Sequence, residues 1–332
     1  MKFLCVWLFC IGFSSSLACA QAFPKTEALV QGRKYVADLY SGQTAELWKN
    51  MTPVMQAGLK SEANLSNFSA QLKSQLGGET GFELEQVTPA PHAQVYARRS
   101  RFSASPMTFV VLVSFDDEGK VSGLLVVPEK NPAESTHLGY KDKNKFTFPL
   151  KGTWLIYQGG RSTYENYHAA YSDQRFAYDI VGIHDGKLYS GTGDKLEDYF
   201  GFAQPVMAPA DGIVVAAIDQ YDDNPLNKPS ASNPAHGNSI VIDNGNGEFS
   251  MLAHLKRGSL KVKIGDKVKA GQELALCGNS GNSPIPHLHF HLQTAGVWFQ
   301  GEGLPLQFSN YIADGKAVDM GEPTHGQVIQ SK

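Results

Sequence analysis

Three histidines alternate with two large apolar residues in His287-Leu288-His289-Phe290-His291. Successive side chains of a strand point to opposite faces, so the three imidazoles would share one face while Leu288 and Phe290 take the other. Neighbouring imidazoles suit a metal centre, because a neutral ring offers a nitrogen lone pair and a second ring can reach a water beside the ion. Histidines in alternation are also ordinary polar-face residues, so the pattern alone leaves both readings open. Other chemistries are poorly supported. Gly278-Asn279-Ser280-Gly281 lacks the G-x-S-x-G spacing of a nucleophile elbow, and no Walker A string or strand-linked G-x-G-x-x-G is evident. Cys277 follows Leu274-Ala275-Leu276 and reads as a small buried hydrophobe rather than a nucleophile.

Such residues need short strands to hold them. From Phe146 onward β-rich segments recur at 153–158, 175–181, 212–218, 239–243, 248–255, 272–277 and 287–293, without a sustained helical period. Asn244-Gly245-Asn246-Gly247 is a strong hairpin turn, since these residues tolerate positive φ. An all-β, antiparallel domain is therefore expected over residues 146–313, with a polar tail over 314–332. The first half reads differently. Between Thr26 and Leu76, Ala28, Tyr35 and Leu39 share one helical face, and Leu65, Phe68, Leu72 and Leu76 recur at helical spacing before Gly77-Gly78. Thr52-Pro53 looks like an N-cap with proline in the first turn. Strands follow at 94–98, 107–115 and 121–127, with a turn at Asp116-Asp117-Glu118-Gly119. Helices before an antiparallel sheet predict a small α+β domain over 24–128, and the Lys, Asn, Ser and Pro of 129–145 read as a linker.

With 332 residues, 42% apolar and 18% charged, the chain has too much hydrophobic mass for disorder and enough for two cores. Its 29 basic and 32 acidic residues leave a net charge of −3, so no basic field would draw nucleic acid. Lys2, the apolar run from Phe3 to Phe13, and Ala18-Cys19-Ala20 read as an export signal over 1–20, its apolar run too short to span a bilayer. Cleavage there removes one base and takes the net charge from −3 to −4. In an alternative reading Cys19 is the lipid-modified first residue of a lipoprotein, although Leu17 sits one place too close to it. Cys5, Cys10 and Cys19 lie in this segment, so the exported form keeps at most Cys19 and Cys277, and no disulfide is expected.

Several blocks in order carry a more specific likeness. They are Val206-Met207-Ala208-Pro209-Ala210-Asp211-Gly212, Gly237-Asn238-Ser239-Ile240, Leu252-Ala253-His254-Leu255, Gly265-Asp266-Lys267-Val268, and Gly278-Asn279-Ser280-Gly281 leading into His287-Leu288-His289-Phe290. Over roughly residues 150 to 300 the chain resembles the zinc peptidases of the lysostaphin and LytM type. The resemblance implies a zinc ion held by the His and Asp of an H-x-x-x-D element and by the second His of H-x-H. On this chain it assigns Asp179 and His289 as ligands and makes His254 and His287 the nonligating histidines of the catalytic site. It implies peptidoglycan peptides as substrate, a zinc ion that acts as Lewis acid and activates water, and histidines that move the proton and stabilise the oxyanion.

The first ligand position, however, is Arg175. A guanidinium stays protonated and has no lone pair to give, so Arg175 cannot stand in for an imidazole. Three explanations compete. A third ligand comes from elsewhere, with His168 the first candidate and His291 the second. Alternatively, the ion is held by two protein ligands and extra water. In the third, the metal is lost, Arg175 pairs with Asp179 on one strand face, and the domain only binds cell wall or activates another hydrolase. His92, His137, His184, His236 and His325 read as solvated loop residues. Residues 24–128 resemble, in element order, the cone-shaped fold of nuclear-transport-factor-like and SnoaL-like proteins, which implies positioning of the second domain or contact with a protein partner.

Overall fold

The change from helical to strand periodicity marks real elements in the computed structural model, which describes residues 23–331. The expected export signal and its three cysteines lie outside those residues. Among the described residues no helix is long and apolar enough to cross a membrane. The chain separates after Glu129 into two compact units.

The first unit runs through helices Lys25–Ser41, Thr44–Lys49, Pro53–Leu59 and Glu62–Leu76. The Thr52 hydroxyl accepts from the Met55 amide at 3.2 Å, with Pro53 in the first turn, which satisfies an otherwise orphaned N–H. Strands Glu79–Ala90, Ala93–Phe102, Ser105–Phe115 and Val121–Pro128 then form an antiparallel meander in that order. Tyr35, Leu39, Leu47, Met55 and Leu65 from the helices share a core with Tyr96, Val111 and Phe115 from the sheet. The first strand was not foreseen. Its mixed Glu, Gly and Gln composition hides any alternation, and pairing with Ala93–Phe102 supplies the order that propensity does not.

The second unit is built on a long sheet. Its strands follow the order Lys267–Val268, Gly212–Ile218, Asn238–Asp243, Phe249–Leu255, Leu288–Gln293, Tyr178–Gly182, Gly152–Gln158, Val328–Ser331, Phe308–Ala313 and Lys316–Gly321. The pairings along this path are antiparallel. Phe290, Leu252, Ile240, Ile180 and Ile156 fill one core. The Asn244–Gly247 turn joins Asn238–Asp243 to Phe249–Leu255 as expected, with Gly245, Asn246 and Gly247 at positive φ.

Three expectations need correction. Residues 314–332 are not a polar tail: Lys316–Gly321 and Val328–Ser331 are sheet strands, and Ile329 is fully buried opposite Trp154. A single apolar residue per face is too weak a pattern to stand out in a polar segment, yet burial on the sheet decides it. Ile329→Ala should cost about 2–5 kcal/mol through the cavity it leaves, read as a lower denaturant midpoint for the second unit.

Nor are residues 129–145 a free tether. The carboxylate of fully buried Glu248 accepts from the Tyr140 hydroxyl at 2.7 Å, the Lys143 amide at 2.7 Å and the Asn144 amide at 3.1 Å. A buried carboxylate demands such donors, and the segment supplies them. Finally, the strand expected over 175–181 begins only at Tyr178. The Asn166 amide donates to the carbonyls of Ala177 at 3.0 Å and Arg175 at 3.4 Å, occupying acceptors that a longer ladder would use.

Candidate metal centre

The central strands of the sheet place the polar cluster. His289 lies directly opposite Asp179 on one side and Ala253 on the other. Directly paired residues share a face, so Asp179 and His289 meet while Leu288 and Phe290, both fully buried, enter the core. His254 reaches the same cluster by a local device. Between Asn238 and Ile240 the partner strand is shifted from Leu255 to Leu252, and His254 has φ 61°. Such a bulge adds a residue and re-aims a side chain. The His254 ring thus lies 4.6 Å from that of His287 and 5.9 Å from that of His289, between centroids. Glycines permit the support beneath it. Gly237 and Gly281 have positive φ, and a Cβ on Gly281 would stand 2.4 Å from the Gly237 nitrogen, so only glycine allows the Ser280 loop to come this close.

Three imidazole nitrogens surround one carboxylate oxygen. Asp179 Oδ1 lies 3.0 Å from His289 Nδ1, 3.5 Å from His287 Nε2 and 3.7 Å from His168 Nε2. One donor atom each from His168, Asp179 and His289 falls within 4.8 Å of the others, and all three residues are buried. Tetrahedral zinc with bonds near 2.05 Å sets its ligand atoms about 3.3 Å apart, a spacing that the measured pairs bracket.

Hydrogen bonds on the outer side of each ring decide what faces inward. His168 Nδ1 lies 2.9 Å from Asn166 Oδ1. The Asn166 amide nitrogen faces the carbonyls of Gly160, Arg175 and Ala177, so its oxygen must accept and His168 Nδ1 must carry the proton. His254 Nδ1 likewise donates to the Ser280 carbonyl at 2.8 Å, and His287 Nδ1 to that of Ile285 at 2.8 Å. In its neutral form each of these rings turns an Nε2 lone pair toward the cluster. Lone pairs gathered around a carboxylate oxygen, with hydrogens directed outward, repel one another unless a cation lies among them. The donor set therefore fits a divalent metal ion such as zinc.

Electrostatics agree in direction. Burial pushes the His168 imidazole down to about 3, against the pull of Asp179. Burial likewise holds His254 and His291 well below the usual range, with neighbouring imidazoles adding to the effect. For His287 burial, which lowers the pKa, is outweighed by the nearby charge of Asp179, and the pKa is raised. Asp179 is itself driven up by burial but brought well below the usual carboxylate range by the imidazoles around it.

Arg175 stands apart. Its guanidinium donates to the Arg161 carbonyl at 3.2 Å and packs over the Phe176 ring at 5.0 Å. Burial, then the nearby Arg161 charge, lowers its pKa. The ion pair with Asp179 considered as an alternative does not form, because Arg175 precedes the strand instead of lying on its face. His291, the second candidate for the vacant position, points to the outer nitrogen of His289 and not to Asp179. Two histidines read as solvated are docked: His236 stacks on Trp298 at 4.9 Å, and His325 Nδ1 meets the Tyr157 carbonyl at 2.6 Å.

Several neighbours escaped the sequence reading. Gln293, two residues after His291, continues the alternation of the histidines, whereas Asn166 caps the short 3-10 turn that carries His168. Exposed Tyr167 lies 3.9 Å from the His168 ring, and Trp298 lies 6.3 Å from that of His289. No spacing rule links either to the cluster.

Residues 198–300 match the family profile described as Peptidase family M23. Over these residues the chain is similar to M23 peptidases. The matched span holds His254, His287 and His289, whereas His168 and Asp179 precede it. The chain is 34% identical over 99 residues to the peptidoglycan DD-endopeptidase ShyA of Vibrio cholerae, covering 29% of this chain and 20% of that protein. It is 30% identical over 145 residues to lysostaphin of Staphylococcus simulans, covering 43% and 26%. With the glycyl-glycine endopeptidase ALE-1 of Staphylococcus capitis it shares 31% identity over 115 residues, covering 34% and 26%. The chain thus spans between a fifth and about a quarter of the length of these relatives. This similarity covers the blocks around His254 and His287–His289.

Proposed function

We propose that the second unit is a zinc-dependent endopeptidase that cleaves peptide bonds of bacterial cell-wall peptidoglycan, in an exported protein. One observation carries the reading: a ring nitrogen of His168, a ring nitrogen of His289 and a carboxylate oxygen of Asp179 converge inside 4.8 Å, beside two further histidines. His168, Asp179 and His289 would hold the ion, with His168 taking the place that Arg175 cannot fill. When bound, zinc supplies a Lewis acid for the scissile carbonyl and lowers the pKa of a coordinated water.

The remaining work belongs to the chain. His254 and His287 present their Nε2 atoms to the cluster, each ring anchored through Nδ1 to a backbone carbonyl. They accept the proton of the attacking water, return it to the leaving amine, and stabilise the oxyanion by hydrogen bonding. Fixed rings need no reorientation during the reaction, which is the advantage of their backbone tethers. The substrate class is supported by the relatives' names and by the block order around these histidines. The first unit, helices followed by a meander, is proposed as a cone-like module that positions the second unit or meets a protein partner.

Zinc stoichiometry on the purified protein and muropeptide release from isolated sacculi test this reading together. One zinc per chain with release is the expected result. Folded protein that takes up no zinc and releases nothing would leave a noncatalytic wall-binding or hydrolase-activating domain.

A further inference from the structure

His289 makes its second hydrogen bond away from Asp179, into a chain of buried polar groups. Its Nε2 lies 2.9 Å from His291 Nδ1, and His291 Nε2 lies 3.0 Å from Gln293 Oε1. Geometry alone lets protons run either way through two imidazoles, since each nitrogen of a neutral ring can donate or accept. The far end removes this freedom. The Gln293 amide nitrogen meets the carbonyls of Ala295 at 2.5 Å and Val297 at 2.9 Å. Carbonyl oxygens only accept, so that atom is the NH2 group and Gln293 Oε1 is the acceptor facing His291.

We infer that Gln293, acting through His291, sets the tautomer of His289 and so keeps its Nδ1 bare for a metal ion. Gln293 Oε1 requires a proton on His291 Nε2. In the neutral form of buried His291, which has no carboxylate in hydrogen-bond contact, this leaves Nδ1 as an acceptor. His289 Nε2 then donates, and its Nδ1 turns a lone pair toward Asp179 Oδ1 at 3.0 Å, a contact between two acceptors that a metal ion would bridge. With the opposite tautomer a hydrogen would stand at the centre of the cluster. Gln293 and His291 are positioning residues; neither touches Asp179. They occupy the same strand face as His289, at successive period-two positions of Leu288–Gln293, so one element carries both the ligand and its orientation. Outer partners of this kind raise the basicity of a ligating ring and hold its plane.

The inference rests on the zinc reading for its purpose but not for its test. In full-length, metal-free protein with 15N-labelled histidine, long-range 1H–15N spectra should show a proton on Nε2 of both His289 and His291. A neutral His289 protonated on Nδ1 overturns the relay, whether or not zinc binds. Chelator competition then measures affinity for zinc alone. His291→Phe and Gln293→Met should weaken it about tenfold to a hundredfold, while His291→Gln, whose amide can still accept from His289 and donate to Gln293, stays within about threefold of the unaltered protein. Equal loss in His291→Phe and His291→Gln, or no loss in any variant, overturns the positioning role. If the unaltered protein binds no zinc, the metal reading falls and the spectra still decide the tautomer.

Discussion

His168→Ala is expected to abolish stoichiometric zinc uptake, weakening affinity by more than the roughly tenfold to hundredfold typical of outer partners, while His236→Ala retains the metal. The reason is geometric. His168 Nε2 stands 3.7 Å from Asp179 Oδ1, its ring held by Asn166, and its loss leaves one nitrogen and one carboxylate where zinc sites supply three protein ligands or more. His236 instead stacks on Trp298 and directs Nδ1 toward the Gly237 carbonyl. Arg175→His should not rescue His168→Ala, because the side chain at 175 leads toward Arg161 and Phe176. Equal zinc retention in His168→Ala and His236→Ala would remove His168 from the site, and isothermal titration of metal-free protein with zinc makes the comparison directly.

The second large effect separates holding the ion from using it. His287→Ala and His254→Asn should keep zinc yet reduce muropeptide release by about a hundredfold to ten-thousandfold, the range expected when a positioned proton-transfer group is lost. Asparagine is the choice at 254 because the residue sits at φ 61°, a left-handed conformation that asparagine tolerates better than alanine. Release that survives both substitutions with zinc intact would take proton transfer away from these rings. Loss of zinc in either would instead place that histidine among the ligands.

Much of this site is written in the local sequence. The alternation around His289 announces a polar face and a core face, and the pleat delivers both, since Phe290 is buried while Asp179 meets His289 across the ladder. A likeness in block order was enough to single out Asp179, His254, His287 and His289, and the vacancy at Arg175 was enough to raise His168. What the pattern could not supply was direction. Arg175 and Asp179 have the spacing of strand neighbours, yet Asn166 draws the Arg175 and Ala177 carbonyls out of the ladder and the guanidinium ends elsewhere. His254 lies out of phase with the face it serves, and only a bulge brings it round.

Residue types and periodicity, which are properties of a short stretch of chain, determined the shared histidine face, the strand character of the second unit and the helices of the first. Tertiary structure decided which third imidazole joins Asp179 and His289, which nitrogen each ring turns inward, and that the last residues complete the sheet. These outcomes depend on hydrogen-bond acceptors and strand edges brought from distant parts of the chain. A carbonyl at Ser280 facing His254, or an amide at Asn166 facing His168, has no trace in spacing because its effect begins only when folding brings the two together.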